Sequence, residues 1–319
     1  MEVMMNKRKL GNTNLHVAPI AFGGNVLGWT ANEKMSFEIL DAFTAAGFNL
    51  IDTADVYSRW GGGVGGESET IIGKWHKKHN NRDKIIIASK GGMDMGQGKT
   101  DVTKKYLIKA AEDSLKRLQT DHIDLYQTHK DDEATPVEEA LEAYAQLIKE
   151  GKIRYVGASN FSPARFSEAL EASKKNGLPC YETLQPLYNL CEREVFEKEL
   201  ESLCVKNNIS VLNYFALGVG FLTGKYRSEA DLSKSVRGDR VKKYINPKGF
   251  GILKALDDVA AQHKSTCASI AIAWLLHRPS VTAPIASATN LQQLDSLIRS
   301  VDIKLSKEQI ALLDEASKW

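Results

Sequence analysis

The segment Ile123-Asp124-Leu125-Tyr126-Gln127-Thr128 leads to Thr135-Pro136-Val137-Glu138 and, past Gly151, to Ile153-Arg154-Tyr155-Val156-Gly157. The first and last pieces are short and rich in β-branched and aromatic residues, as strands are. Between them Val137, Leu141, Tyr144, Ala145 and Ile148 fall on one face of a helix. Thr135 and Glu138 have capping-box spacing, Pro136 suits a first helical position, and Gly151 suits a helix end. The unit reads strand–helix–strand, and a crossover of this kind joins parallel strands.

The same rhythm extends in both directions. Further strand candidates lie at 17–22, 48–51, 85–89, 180–184, 210–214 and 281–285, which with 123–128 and 153–157 makes eight. They are mostly continuous apolar runs, the pattern of parallel strands covered on both faces. Ile39, Leu40, Phe43 and Ala46 form another helical face closed by Gly47; Ser162-Pro163 opens a helix that Gly177 stops; Asn290 with Gln293 offers a second capping box. Eight strand–helix repeats in 319 residues predict an α/β fold, a (β/α)8 TIM barrel forming a single domain over 1–319, with a C-terminal helix. One stretch, 218–247, breaks the rhythm after the seventh strand; its tail, 227–243, is rich in Lys and Arg and reads as a long functional loop.

Composition excludes several classes. Forty-two basic residues against 40 acidic ones leave a formal charge of +2, which does not suit a nucleic-acid binder or a polybasic membrane protein. No apolar run reaches the ~18 residues of a membrane-spanning helix. The first eight residues contain no signal-like apolar stretch, so a cytoplasmic location is expected. Cys180, Cys191, Cys204 and Cys267 form no C-x-x-C pair and read as reduced, mostly buried thiols; neither disulfide nor metal is expected.

Barrel chemistry sits at the C-terminal ends of strands. Those ends carry Gly23-Gly24-Asn25, Asp52-Thr53-Ala54-Asp55-Val56-Tyr57, Lys90, His129, Ser159-Asn160, Gln185, Tyr214 and Ser287-Ala288-Thr289. An Asp, a Tyr, a Lys and a His on adjacent strand ends can donate a proton. A free tyrosine is too weak an acid near neutrality; an ammonium beside it lowers its pKa, and a carboxylate keeps that ammonium in place. Histidine orients a substrate oxygen or relays a proton. Such a set protonates a carbonyl oxygen while its carbon is reduced.

With Gly66-Glu67-Ser68-Glu69, Ser114-Leu115-Lys116-Arg117-Leu118, Gly151-Lys152-Ile153-Arg154, Gly157-Ala158-Ser159-Asn160-Phe161, Gln185-Pro186-Leu187-Tyr188-Asn189 and Gly220-Phe221-Leu222-Thr223-Gly224-Lys225-Tyr226, these segments resemble the aldo-keto reductase superfamily along nearly the whole chain. The resemblance implies a nicotinamide-dependent carbonyl reductase acting on a small-molecule aldehyde or ketone. It assigns Tyr57 as general acid, Lys90 as its tuner, Asp52 as the lysine's partner and His129 as the orienting group. Asp55 competes with Asp52 for the carboxylate role; the five-residue step to Tyr57 and the family pattern favour Asp52. The resemblance also implies that Ser159, Asn160 and Gln185 hold the carboxamide and that Tyr214 stacks on the nicotinamide. Gly24, Asn25 and Asp52 would line the cofactor. Leu217, Gly218, Gly220, Leu222, Gly224 and Lys225 would wrap the pyrophosphate, and Ser287, Ala288, Thr289 and Gln293 would lie near the adenosine. Trp29, Trp60 and Tyr188 are candidates for the substrate pocket.

The chain departs from the family pattern in places. Phe215-Ala216-Leu217 stands where Ser-Pro-Leu is usual, and Ala286-Ser287-Ala288-Thr289 where Pro-Gly-Ala-Arg is common. Leu297 replaces a frequent polar residue. The missing arginine weakens the grip on a 2′-phosphate, so NADPH is expected as cofactor with NADH possible. The G-x-G-x-x-G within Gly61-Gly62-Gly63-Val64-Gly65-Gly66 does not follow a strand directly and reads as a loop near the active-site mouth. Two other functions stand beside the reductase: a cofactor-binding regulatory subunit of the channel-associated type, and an aldolase using Lys90 as a Schiff-base nucleophile. The intact Asp-Tyr-Lys-His set argues against the first, and Asp52 keeping the lysine charged against the second.

Overall fold

The computed structural model describes residues 6–319. Its strands are β1 (Ala21–Gly23), β2 (Leu50–Asp52), β3 (Ile86–Gly91), β4 (Ile123–Thr128), β5 (Ile153–Ser159), β6 (Tyr181–Gln185), β7 (Ser210–Val211) and β8 (Ile285–Ala286). They form one parallel sheet in the order β8-β1-β2-β3-β4-β5-β6-β7. The sheet curls until its outer members meet: Val211 bridges Val281, the Thr282 N–H donates to the Val211 carbonyl at 2.9 Å, and the Ile285 N–H to the Asn213 carbonyl at 2.9 Å. Helices cover the outside, giving the (β/α)8 barrel.

Successive strand residues point to opposite faces, so each strand feeds two cores. Leu50, Ile86, Ala88, Leu125, Leu212, Ala283 and Ile285 fill the barrel interior. Ile51, Ile87, Tyr126, Val156, Leu184 and Val211 pack outward under the helices. The same parity places Asp52, Lys90, Gln127, Ser159, Thr183 and Gln185 inside and Ser89 outside. Gly157 falls at an inward position because nothing larger fits: a Cβ there would lie 2.1 Å from Thr183 Oγ1.

An antiparallel hairpin, Arg8–Lys9 with His16–Val17, covers the N-terminal end of the barrel. Leu10, Leu15 and Val17 complete the interior core, and the Gly11 N–H donates to Ser210 Oγ at 2.7 Å. The candidate site residues lie at the opposite end.

Several boundaries differ from expectation. The first strand was expected over 17–22, but Val17 pairs with Arg8 in the hairpin and β1 starts only at Ala21. The last two strands are each two residues long. Thr135 does not cap the helix Val137–Lys149; its hydroxyl donates to Asp132 Oδ2 at 2.7 Å instead. Asn290 caps its helix through the Gln293 N–H, but the Gln293 side chain accepts from the Thr289 N–H rather than completing the box. The 218–247 stretch is built of short helical turns rather than open loop. It is anchored by a two-pronged Arg227–Asp257 pair and a Lys243–Glu192 pair. Cys204 and Cys267 are buried, whereas Cys191 is half-buried and Cys180 exposed. Among the described residues no helix is long and apolar enough to cross a membrane.

Candidate active site

Asp52 closes β2, Lys90 is the fifth residue of β3, and His129 follows β4 directly. The Asp52-to-Tyr57 turn folds back over the barrel mouth. Lys90 Nζ lies 2.7 and 2.8 Å from the two carboxylate oxygens of Asp52 and donates to the Thr53 carbonyl at 2.8 Å. Lys90 and Asp52 are 0% and 1% exposed, so neither charge is shared with solvent. Such a pair persists because each charge has its counter-charge and its remaining hydrogen bonds. Burial lowers the pKa of Lys90, and Asp52 works against that shift.

Tyr57 Oη donates to Asp52 Oδ2 at 3.0 Å, and Lys90 Nζ stands 4.8 Å from the centre of the Tyr57 ring. The ammonium and the phenol hydroxyl thus share the Asp52 Oδ2 acceptor. The expected lowering of the Tyr57 pKa is not what this arrangement produces. Burial and then the Asp52 charge drive it well above the usual phenol value, outweighing the opposing charge of Arg237. The His129 ring lies 6.0 Å from the Tyr57 ring, at a steep angle. Burial and then Lys90 hold its pKa well below the ordinary value, so the imidazole is neutral; its Nδ1 is buried without a partner.

Around the barrel mouth, Ser159 Oγ donates to the Gln185 carbonyl at 3.0 Å. Asn160, with a left-handed φ of 55°, donates to the His129 carbonyl at 2.8 Å and accepts from Tyr214 Oη at 2.9 Å. Gln185 Nε2 donates to Asp52 Oδ1 at 2.9 Å. The side chains expected at the carboxamide thus meet one another and Asp52. Gly218, Gly220 and Gly224 all have left-handed φ, as does Val219 between two of them, and turn the backbone tightly after the seventh strand. Across the mouth, Asn25 is bonded to Ser287 Oγ at 2.6 Å, and Gln293 accepts from both the N–H and the hydroxyl of Thr289. Gly24 lies where a Cβ would come within 2.8 Å of the Asp52 carbonyl. Ala288 is wholly buried, and Leu297 is a core residue.

Trp29 and Trp60 meet edge to face at 6.1 Å, and Trp60 packs against Tyr57 at 5.4 Å. Trp60 therefore stands beside the tyrosine, with Trp29 behind it. Tyr188 lies elsewhere: it is 0% exposed, packed on Phe196 and Trp274, with its hydroxyl donating to Glu197. The sequence reading gave Arg237 only as one charge of the basic loop. Its guanidinium stands 4.9 Å from the Trp29 ring and, with the Asn25 amide turned to satisfy both neighbours, donates to Asn25 Oδ1 at 3.0 Å. Nothing in the linear sequence ties residue 237 to residues 25 and 29.

A profile described as "Aldo/keto reductase family" matches residues 19–318. The chain belongs to the aldo-keto reductase family. It is 33% identical over 314 residues to an uncharacterized oxidoreductase, YrpG, of Bacillus subtilis, covering 96% of this chain and 94% of that one. It is 34% identical over 294 residues to the aldo-keto reductase YhdN of the same species, covering 90% and 85%. A third relative, L-glyceraldehyde 3-phosphate reductase of Escherichia coli O157:H7, is 31% identical over 243 residues, covering 73% and 70%. As an aldo-keto reductase the chain is an NAD(P)H-dependent oxidoreductase that acts on small-molecule carbonyls.

Proposed function

We propose that this aldo-keto reductase reduces aldehydes or ketones to alcohols with NADPH, and that Tyr57 is the general acid. The convergence of Tyr57, Asp52, Lys90 and His129 on one mouth carries the reading. When bound, the nicotinamide supplies hydride to the carbonyl carbon.

The residues present fit such a cofactor. Among the described residues Arg237 forms no ion pair with a carboxylate, and burial and the neighbouring Arg240 lower its pKa, as for a cation short of a counter-charge. A pyrophosphate would supply that charge. The left-handed turns at Gly218, Gly220 and Gly224 and the exposed Lys225 lie on the same chain segment. Ser159, Asn160 and Gln185 would hold the carboxamide, Tyr214 the ring, and Thr289 with Gln293 the adenosine end; Gly24, Asn25 and Ser287 would line the cofactor beside them.

The chain's own chemistry follows from the geometry. Its high pKa keeps Tyr57 protonated through the neutral range. Turning the O–H from Asp52 toward a carbonyl oxygen lets it donate, and the phenolate that forms is stabilised by the adjacent Lys90 ammonium, which Asp52 retains in place. Neutral His129 contributes an N–H to the same oxygen without adding charge. Trp29 and Trp60 flank the bound substrate and exclude water. The cofactor-only regulatory alternative predicts binding without turnover. A panel of aldehydes and ketones assayed with NADPH and with NADH, in wild type and Tyr57→Phe, separates the two.

A further inference from the structure

Behind the barrel wall, under Lys90, sits a second ionisable cluster that the mechanism above does not use. Glu69, 0% exposed, accepts from Arg117 Nε at 2.6 Å and from Ser89 Oγ at 2.5 Å. Asp55, 2% exposed, belongs to the same region: its charge acts on Glu69, Arg117, Lys90, Tyr106 and Tyr126. Among the described residues it forms no ion pair, and its Oδ1 is buried without a partner, as is Tyr126 Oη.

The turn carrying Asp55 is latched to Lys90 along its length. Asp52 and the Thr53 carbonyl hold Nζ, while the Asp55 N–H donates to the Lys90 carbonyl at 3.1 Å. The charge count matters here. Lys90 is balanced by Asp52 and the partly buried Arg117 by Glu69, so the two cations nearest Asp55 already have their two carboxylates. His129 is neutral. An ionised Asp55 would be a third buried anion with no cation left to meet it, and burial of an uncompensated charge is strongly unfavourable.

We propose that Asp55 is a positioning residue that carries a proton in the working enzyme, and that its ionisation sets the upper pH limit of carbonyl reduction by acting through Lys90 on Tyr57. The proposal rests on the reading of Tyr57 as the acid. The balance is one proton: the Asp55 carboxylic acid loses it to solvent as pH rises and becomes a carboxylate. The added negative charge behind Lys90 opposes formation of the Tyr57 phenolate, so the acid weakens. Burial, and then the Glu69 carboxylate, raise the Asp55 pKa to about 8, which puts the transition within the working range.

Asp55→Asn, which has the shape of the protonated acid and cannot ionise, is the test. Wild-type kcat for carbonyl reduction is expected to fall about three- to tenfold between about pH 7 and about pH 9, and the variant about twofold or less. Difference infrared spectroscopy of the wild type should show the C=O stretch of a protonated carboxylic acid near neutral pH. That band should vanish by about pH 9 and be missing from Asp55→Asn. Superimposable pH profiles, or a wild type without the band, overturn the proposal. The infrared band does not depend on turnover. If Tyr57→Phe stays active while the Asp55 band titrates as described, the acid assignment fails and the protonation of Asp55 stands.

Discussion

Tyr57 donates its hydroxyl to Asp52 at 3.0 Å, so the proposed acid starts out bonded to the carboxylate that also holds the lysine. Proton donation must therefore break this bond and replace it with one to substrate. Tyr57→Phe removes only the hydroxyl. It should lower kcat by about 10²- to 10⁴-fold, the usual range for a lost general acid, and leave the cofactor Kd, read by fluorescence quenching, within about twofold. A variant retaining more than about half of wild-type turnover is incompatible with the role.

Asp55 also gives a stability prediction that needs no substrate. Its folded-state pKa, about 8, lies above the ordinary carboxylate value, so the native state keeps a proton that the unfolded chain releases. The stability this proton confers is complete below about pH 4 and is lost as pH rises toward about pH 8. Asp55→Asn removes that dependence. Urea unfolding of both proteins across this range should show the variant gaining on the wild type as pH rises, with the difference levelling off above about pH 8. A constant difference contradicts a protonated Asp55.

Arg237 stands against Trp29 and Asn25 with no carboxylate to meet it among the described residues. Arg237→Met keeps the aliphatic length and removes the charge. The dissociation constant for NADPH should rise about tenfold, the loss expected for one charge-assisted hydrogen bond, with less change in kcat. Limited proteolysis within residues 227–243 should be suppressed by saturating cofactor in the wild type and less so in the variant. Equal cleavage with and without cofactor argues that the segment takes no part in binding.

Thr289 shares Gln293 with its own backbone N–H and offers a hydroxyl where a guanidinium would grip a phosphate in two places. NADPH should be preferred over NADH only modestly. Thr289→Arg should tighten NADPH and leave NADH nearly unchanged, read as the ratio of the two dissociation constants. If the wild type prefers NADH outright, the departures at Ser287 and Thr289 decide the cofactor.

Gly157 has no room for a methyl group. Gly157→Ala should cost about 1–3 kcal/mol through overpacking against Thr183 Oγ1. Thr183→Ala in the same chain should return most of it, because the obstructing oxygen is gone. Thermal unfolding of the single and double variants measures both.

Where one residue's chemistry dictates its place, the sequence was readable. Ile123–Thr128 was expected as a strand and is one, residue for residue, because Ile123, Tyr126 and Thr128 favour extended backbone and its flanks are polar. The period-two alternation of a strand also explains why Asp52 and Lys90 face each other inside the barrel. What could not be read depends on neighbours far apart in sequence. Thr135 had the right spacing for a cap, but Asp132 offered its hydroxyl a nearer acceptor. Tyr188 sits within a family motif, yet Phe196, Trp274 and Glu197 draw it into the core. Asp55 was weighed only as a rival of Asp52; its own part emerges once the fold brings Glu69 and Arg117 behind the same wall. The high pKa of Tyr57 escaped for the same reason, since burial cannot be judged from a motif.

The β-ring is uneven around its circumference. β4 and β5 share five register pairs, whereas β7 and β8 are joined by a lone bridge and a few backbone bonds. A closed ring fails at its weakest link, so heat or denaturant should first part it there, leaving a curled strip with two freshly bared edges open to aggregation. Arg8 ties the N-terminal hairpin to one side of that gap. From 273 residues away in the chain its guanidinium donates to the Val281 carbonyl at 3.0 Å, and it also donates to the Thr282 carbonyl at 3.1 Å. The N-terminal hairpin therefore fastens the segment that leads into the last strand, and Arg8→Ala would loosen that segment.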